Sequence, residues 1–175
     1  MKISVGILTI SDRCSQGLRK DLGGPRLAGL VERRGWQVVS TRIVPDDKEK
    51  IAESLLEWCD SGSVALLLTT GGTGLGPRDV TPEATRKVLD KEIAGLPEII
   101  RMEGLKHTPL ACLSRMAAGT RGKTLILNLP GSPEGAAQSF EAVGDLIEHA
   151  LDMMHGRDHD SKEDHTHDHQ GCKAP

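Results

Sequence analysis

Residues 64–82, VALLLTTGGTGLGPRDVTP, constrain this chain more than any other stretch. Val64, Ala65, Leu66, Leu67 and Leu68 form an unbroken apolar run of strand length, as expected for a strand buried on both faces of a parallel sheet. Thr69 and Thr70 end the run, and Gly71, Gly72, Thr73, Gly74, Leu75 and Gly76 follow, four glycines in six residues. Such a loop leaves backbone N–H groups uncovered and lets the chain adopt positive φ, the makings of an anion-binding nest. Pro77-Arg78-Asp79 adds a cation and a carboxylate, and Thr81-Pro82-Glu83 reads as an N-cap, a proline at N1 and an early acid opening a helix. A strand, a bare loop and a helix start are the parts of a phosphate site. Two familiar phosphate motifs do not fit. The spacing of Gly71 and Gly76 suits a P-loop, but Pro77 and Arg78 stand where its Lys and Ser/Thr would be; a dinucleotide fingerprint begun at Gly72 would put Pro77 at its third glycine.

At 175 residues one domain is the default, long enough for a core of its own. Aromatic residues are limited to Trp36, Trp58 and Phe140, so that core is expected to be aliphatic. The same scarcity argues against stacking platforms for single-stranded nucleic acid, and a net charge of −3 offers no broad attraction for it. Cys14, Cys59, Cys112 and Cys172 are widely spaced with no CxxC pair, no signal-peptide pattern is seen, and no apolar segment approaches the ~20 residues of a membrane span. The expectation is a cytoplasmic protein with reduced thiols and no membrane or nucleic-acid partner.

The remainder alternates strand and helix. Strands are predicted over 3–10, 36–44 and 124–129, and helices over 25–34, 82–89 and 96–105, with Pro25 near N1 of its helix. Residues 11–24 read as a polar loop, and 109–115 as either a strand or a helical turn. A further helix starts at Pro45-Asp46-Asp47, where Asp46 and Glu49 have capping-box spacing and Ile51, Leu55 and Trp58 recur on one face. Ser132 and Pro133 open the last helix as N-cap and N1, with Ala137, Phe140, Val143, Ile147 and Leu151 as its buried face. This pattern predicts an α/β fold, a three-layer αβα arrangement around a mainly parallel sheet. Ligands bind beyond the carboxyl ends of strands in such sheets, and Ser11-Asp12-Arg13, Asp46, 70–79 and 130–132 each follow a predicted strand. Residues 155–175 lack aliphatic core residues and are rich in His and Asp; a disordered tail beyond a domain of residues 1–154 is expected. Its run His165-Thr166-His167-Asp168-His169 could bind metal loosely, but a tail without preformed geometry favours the plain reading of a solvated segment.

The string TTGGTGLGPRDVTPEAT closely resembles the MogA/MoaB family of molybdenum cofactor biosynthesis, related to the gephyrin G domain. GILTISDR (6–13), VPDD (44–47), LSR (113–115) and LNLPGSP (127–133) match it too, in order and spacing. The resemblance implies a molybdopterin adenylyltransferase, an enzyme that transfers AMP from ATP to the molybdopterin phosphate and releases pyrophosphate. Its alternative is a non-catalytic molybdopterin carrier of the same fold. Asp46 and Asp79 match the family's functional aspartates and are the expected catalytic carboxylates, with Mg²⁺ as their metal; residue chemistry alone would explain both as helix caps. Ser114 matches a serine near the pterin phosphate. Ser11, Asp12, Thr70, Gly71, Gly72, Thr73, Gly74, Arg115, Pro130, Gly131 and Ser132 complete the expected substrate site. Arg78 is a further candidate phosphate cation, and either arginine could equally be a surface charge. The family also implies a homotrimer or homohexamer and contact with other proteins of cofactor biosynthesis.

Overall fold

In the first strand, side-chain parity decides which layer each residue joins. A computed structural model describes residues 2–156, and in it β1 (Ser4–Ile10) sends Val5 and Ile7 into one apolar core and Leu8 and Ile10 into the other. The same division recurs farther along the chain. A short helix α1 (Asp12–Ser15) and helix α2 (Gly23–Arg33) lead to strand β2 (Gln37–Val44), and α3 (Lys48–Asp60) leads to β3 (Leu66–Thr70). Helix α4 (Thr81–Val88), the short strand β4 (Lys91–Glu92) and α5 (Gly95–Gly104) follow. A 3₁₀ turn (Pro109–Leu113), β5 (Ala118–Arg121), β6 (Thr124–Leu129) and α6 (Pro133–Met154) complete the described chain.

The sheet order is β2-β1-β3-β6-β5-β4, with β2, β1, β3 and β6 mutually parallel and β5 and β4 antiparallel at one edge. Leu66 and Leu68 of β3, with Leu125 and Leu127 of β6, face α2, α5 and α6, whereas Leu67 and Ile126 face α3 and α4. Strands apolar on both faces, covered by helices on both sides, give the three-layer αβα arrangement expected. Trp36 packs edge to face against Phe140, with ring centroids 5.6 Å apart. Trp58 fills the opposite core, where a Cβ on Gly6 would lie 3.0 Å from its ring.

The antiparallel edge was missed by sequence reading. AGTR (118–121) has no apolar alternation, and its pairing needs Gly119, whose Cβ would sit 2.2 Å from the Lys91 carbonyl. Boundaries also shifted. The polar loop 11–24 contains α1, and α2 begins at Gly23, so Pro25 does not sit at N1. Of residues 109–115, Pro109–Leu113 form the 3₁₀ turn and none is in a strand. The tail expected over 155–175 lies almost wholly outside the described residues. Among the described residues, no helix is long and apolar enough to cross a membrane.

Candidate functional site

The parallel strands β2, β1, β3 and β6 all end at one edge, which brings four connections together. Backbone and side-chain bonds stitch them. Ser11 N–H donates to Val44 O (2.9 Å), Gly71 N–H to Leu129 O (3.3 Å) and the Thr70 hydroxyl to Pro130 O (2.7 Å). The chain order reverses between β1 and β3, the crevice position favoured for ligands in open α/β sheets. Approach there is close: a Cβ on Gly71 would lie 2.2 Å from Ile10 O, and Gly71 takes φ +108°, so only glycine fits.

Asp46 is not a helix cap, contrary to its capping-box spacing. Asp47 is the N-cap of α3, its side chain accepting from Lys50 N–H at 3.0 Å. Asp46 instead turns toward the β1 connection. Its Oδ2 accepts from Asp12 N–H (2.7 Å), and Asp12 Oδ1 accepts from Asp46 N–H (3.0 Å), a reciprocal pair joining two loops. Arg78 then grips Asp12 with Nε–Oδ2 at 3.0 Å and Nη2–Oδ1 at 2.8 Å. That bidentate bond holds the Asp12 carboxyl below its ordinary range. Asp46 moves the other way: burial raises its pKa first, and the Asp12 and Asp79 charges add to this against the Asp12 N–H bond.

The glycine-rich loop is braced at both ends. Thr81 is not the N-cap of α4; that position is Val80, and the Thr81 hydroxyl donates to Gly71 O at 2.9 Å while its N–H donates to Gly72 O. Asp79 Oδ2 accepts from Gly76 N–H at 2.7 Å. Arg115 lies under the loop, donating from Nε to Gly74 O (2.7 Å) and from Nη2 to Asp79 O (2.5 Å), with Nη1 paired to Glu83. Burial pushes the Glu83 carboxyl up, but its own N–H and Arg115 outweigh this and hold it below its usual range. Between these braces the N–H groups of Gly72, Thr73 and Gly74 bond to no described residue. They are the uncovered donors that the glycine spacing promised.

Two cavities of about 420 Å³ each flank the loop and meet at Ser132. One is apolar, walled by Leu75, Ile100, Leu110, Leu113 and Met116, and Ser114 lines it with a buried Oγ that has no hydrogen-bond partner among the described residues. The other is polar, lined by Ser11, Arg19, Lys20, Asp46, Gly72 and Gly131. Pro130 borders the apolar cavity, and Thr70 and Gly71 the polar one. The Ser132 hydroxyl caps α6 by accepting from Gly135 N–H at 3.2 Å.

The edge thus brings together Ser11, Asp12, Asp46, Asp79, residues 70–74, Ser114, Arg115 and residues 130–132, all singled out from sequence. Several supports escaped that reading. Asp21 accepts from Gly23 and Gly24 N–H (3.0 and 3.1 Å) and from the Thr9 hydroxyl (2.7 Å), fixing the start of α2 beside the polar cavity. Its signal was an Asp shortly before Gly-Gly-Pro, a turn-and-cap pattern. Buried Asn128 joins Thr69 to Thr85 and accepts from Ala117 N–H, contacts that only the folded chain creates.

A family model described as "probable molybdopterin binding domain" matches residues 6–149. The chain is 41% identical over 156 residues to the molybdopterin adenylyltransferase of Helicobacter pylori strain J99, covering 88% of this chain and 89% of that one. It is also 46% identical over 154 residues to the Drosophila melanogaster molybdenum cofactor synthesis protein cinnamon; that match covers 87% of this chain but only 26% of cinnamon. The molybdopterin biosynthesis enzyme MoaB from Thermus thermophilus superposes with a TM-score of 0.83 at 48% identity, covering 88% of this chain and 97% of that one. From the loop, the paired carboxylates and these matches together, the chain belongs to the molybdopterin-binding MogA/MoaB family.

Proposed function

We propose that this protein is a molybdopterin adenylyltransferase, using ATP and molybdopterin as substrates. The carrying observation is the row of uncovered N–H groups at Gly72, Thr73 and Gly74, set between an apolar and a polar cavity that share Ser132. The apolar cavity suits the flat pterin, with the unpartnered Ser114 Oγ available to its phosphate. The polar cavity suits the triphosphate. In this arrangement the pterin phosphate oxygen attacks the α-phosphorus of ATP. A P–O bond forms there, the bond to the bridging oxygen breaks, and that oxygen leaves with its electron pair on pyrophosphate. Backbone donors fixed over the loop stabilise the charge spread over the α-phosphoryl oxygens without reorganising. Asp12, Arg78 and Arg115 act as positioning groups, since each is committed to protein partners.

The carboxylates fit a divalent cation. Asp46 Oδ2 and Asp79 Oδ2 are anchored by backbone N–H groups, while neither Oδ1 has a hydrogen bond among the described residues. Mg²⁺ commonly takes one or two carboxylates together with substrate phosphates, so Asp46 and Asp79 are the residues that would hold it. When bound, the ion neutralises phosphate charge that these carboxylates would otherwise repel. We also propose a cytoplasmic homotrimer or homohexamer; Val39 and Ile43, solvent-exposed on the edge strand β2, offer apolar surface for such contacts, and light scattering would measure the mass. The function itself is tested by incubating the purified protein with molybdopterin, ATP and Mg²⁺: adenylylated pterin and pyrophosphate should form in equal amounts. Pterin binding without AMP transfer would refute the enzyme and leave a carrier.

A further inference from the structure

The polar cavity carries two cations that the site described so far leaves unused. Arg19 and Lys20 lie in the connection between α1 and α2 and line the cavity together with Asp46, Gly71 and Gly72. The two arginines that brace the neighbouring loop are already neutralised, Arg78 by Asp12 and Arg115 by Glu83. Arg19 and Lys20, by contrast, form no ion pair with any described residue. Asp21, next in sequence, does not quench them by contact. Its carboxylate is taken up by the Gly23 and Gly24 N–H groups and the Thr9 hydroxyl.

The backbone beneath the pair is fixed. Leu18 N–H and Arg19 N–H both donate to Arg13 O (2.9 and 3.2 Å), and Gly17 at φ +72° closes α1 in the left-handed conformation typical of a helix stop. The two cations therefore stand on an anchored turn that lines the same cavity as Gly71 and Gly72 of the glycine-rich loop. On a chain of net charge −3, with Asp46 facing the same space, they supply the positive charge that a polyanion entering there requires.

We propose that Arg19 and Lys20 bind the β- and γ-phosphates of the incoming nucleotide and hold the pyrophosphate that leaves. The proposal rests on the adenylyl-transfer reading and assigns the leaving-group end of that site. As the bond from the α-phosphorus to the bridging oxygen breaks, the electron pair passes to pyrophosphate, and the two cations face the charge that develops. Arg presents a fork to two oxygens and Lys a compact charge, a combination that takes up a flexible diphosphate.

The probe is inorganic pyrophosphate with Mg²⁺, titrated calorimetrically into the full chain and into Arg19→Ala, Lys20→Ala and the double variant. Charge-assisted phosphate contacts predict roughly tenfold weaker binding for each single variant and about a hundredfold for the pair. KM for ATP should rise in parallel, molybdopterin affinity should stay within about twofold, and the melting temperature should not move because both side chains are exposed. Arg19→Lys and Lys20→Arg should retain most of the pyrophosphate affinity. Unchanged pyrophosphate binding in the double variant overturns the proposal, as does a joint fall in pterin affinity and melting temperature, which would mark a structural role. The titration needs no turnover. A parent chain that binds pyrophosphate at these residues yet makes no adenylylated pterin would therefore refute the enzyme reading while upholding this anion site.

Discussion

Two adjacent aspartates, Asp46 and Asp47, should respond to substitution in opposite ways. Asp47 caps α3 through Lys50 N–H, so Asp47→Ala should cost about 1 kcal/mol, a fall of roughly 2–4 °C in melting temperature for a chain of this size, with adenylyl transfer nearly intact. Asp46→Asn keeps an oxygen to accept from Asp12 N–H and leaves the cap untouched. What it removes is a charge that burial and the Asp12 and Asp79 carboxylates already disfavour. An acid whose folded pKa is raised costs stability once the pH climbs above its ordinary value of 3.8, and that cost is complete above the folded value. At neutral pH the Asn variant should therefore melt at or above the parent. Its activity should collapse: loss of a group that positions a cation on the phosphates is worth several kcal/mol of barrier, on the order of a hundredfold or more in rate. Single-turnover adenylylation and thermal melts on the same preparations read both quantities. Near-parental turnover in Asp46→Asn, coupled to a lower melting temperature, would refute the assignment and return Asp46 to a structural role.

Gly71→Ala should destabilise the fold by more than about 2 kcal/mol, because φ is +108° and the new Cβ would strike the Ile10 carbonyl, a backbone atom that cannot swing away; a denaturant midpoint unchanged from the parent would contradict this. Burial pushes the Cys59 thiol up to about 11, so peptide mapping after thiol alkylation of the native protein at neutral pH should find Cys59 unmodified while exposed Cys112 reacts. The Asp12 carboxyl, held low by Arg78, contributes stability above its ordinary value of 3.8 that is lost as pH falls through the lowered folded value; Arg78→Ala should flatten the acid limb of the melting profile, and an unchanged limb would speak against the latch.

The parallel strands and their covering helices were legible because apolar runs such as Leu66–Leu67–Leu68 and the face Ala137, Phe140, Val143, Ile147 and Leu151 depend on local pattern alone. The loop was legible for a similar reason: glycine spacing announces backbone that side chains do not cover. Which aspartate caps α3 was not, since only Asp46 has capping-box spacing to Glu49, and what draws it away is Asp12, a residue 34 positions away in sequence. Arg115 was read as either a phosphate cation or a surface charge. Its commitment to Gly74, Asp79 and Glu83 arises only when the segment after the 3₁₀ turn folds beneath the loop. Arg19 and Lys20 belong to no motif in the polar loop 11–24, and only the shared cavity wall relates them to Asp46.

On the proposed function, the loop at Gly72–Thr73–Gly74 joins two substrates held in separate cavities. A crystal structure of the protein with adenylylated molybdopterin tests it most directly. The pterin should occupy the cavity of Leu75, Ile100 and Met116, the adenylate should enter that of Asp46 and Lys20, and the bridging diphosphate should lie on the loop N–H groups near Ser132. A ligand confined to one cavity, or a diphosphate away from the loop, would contradict the account.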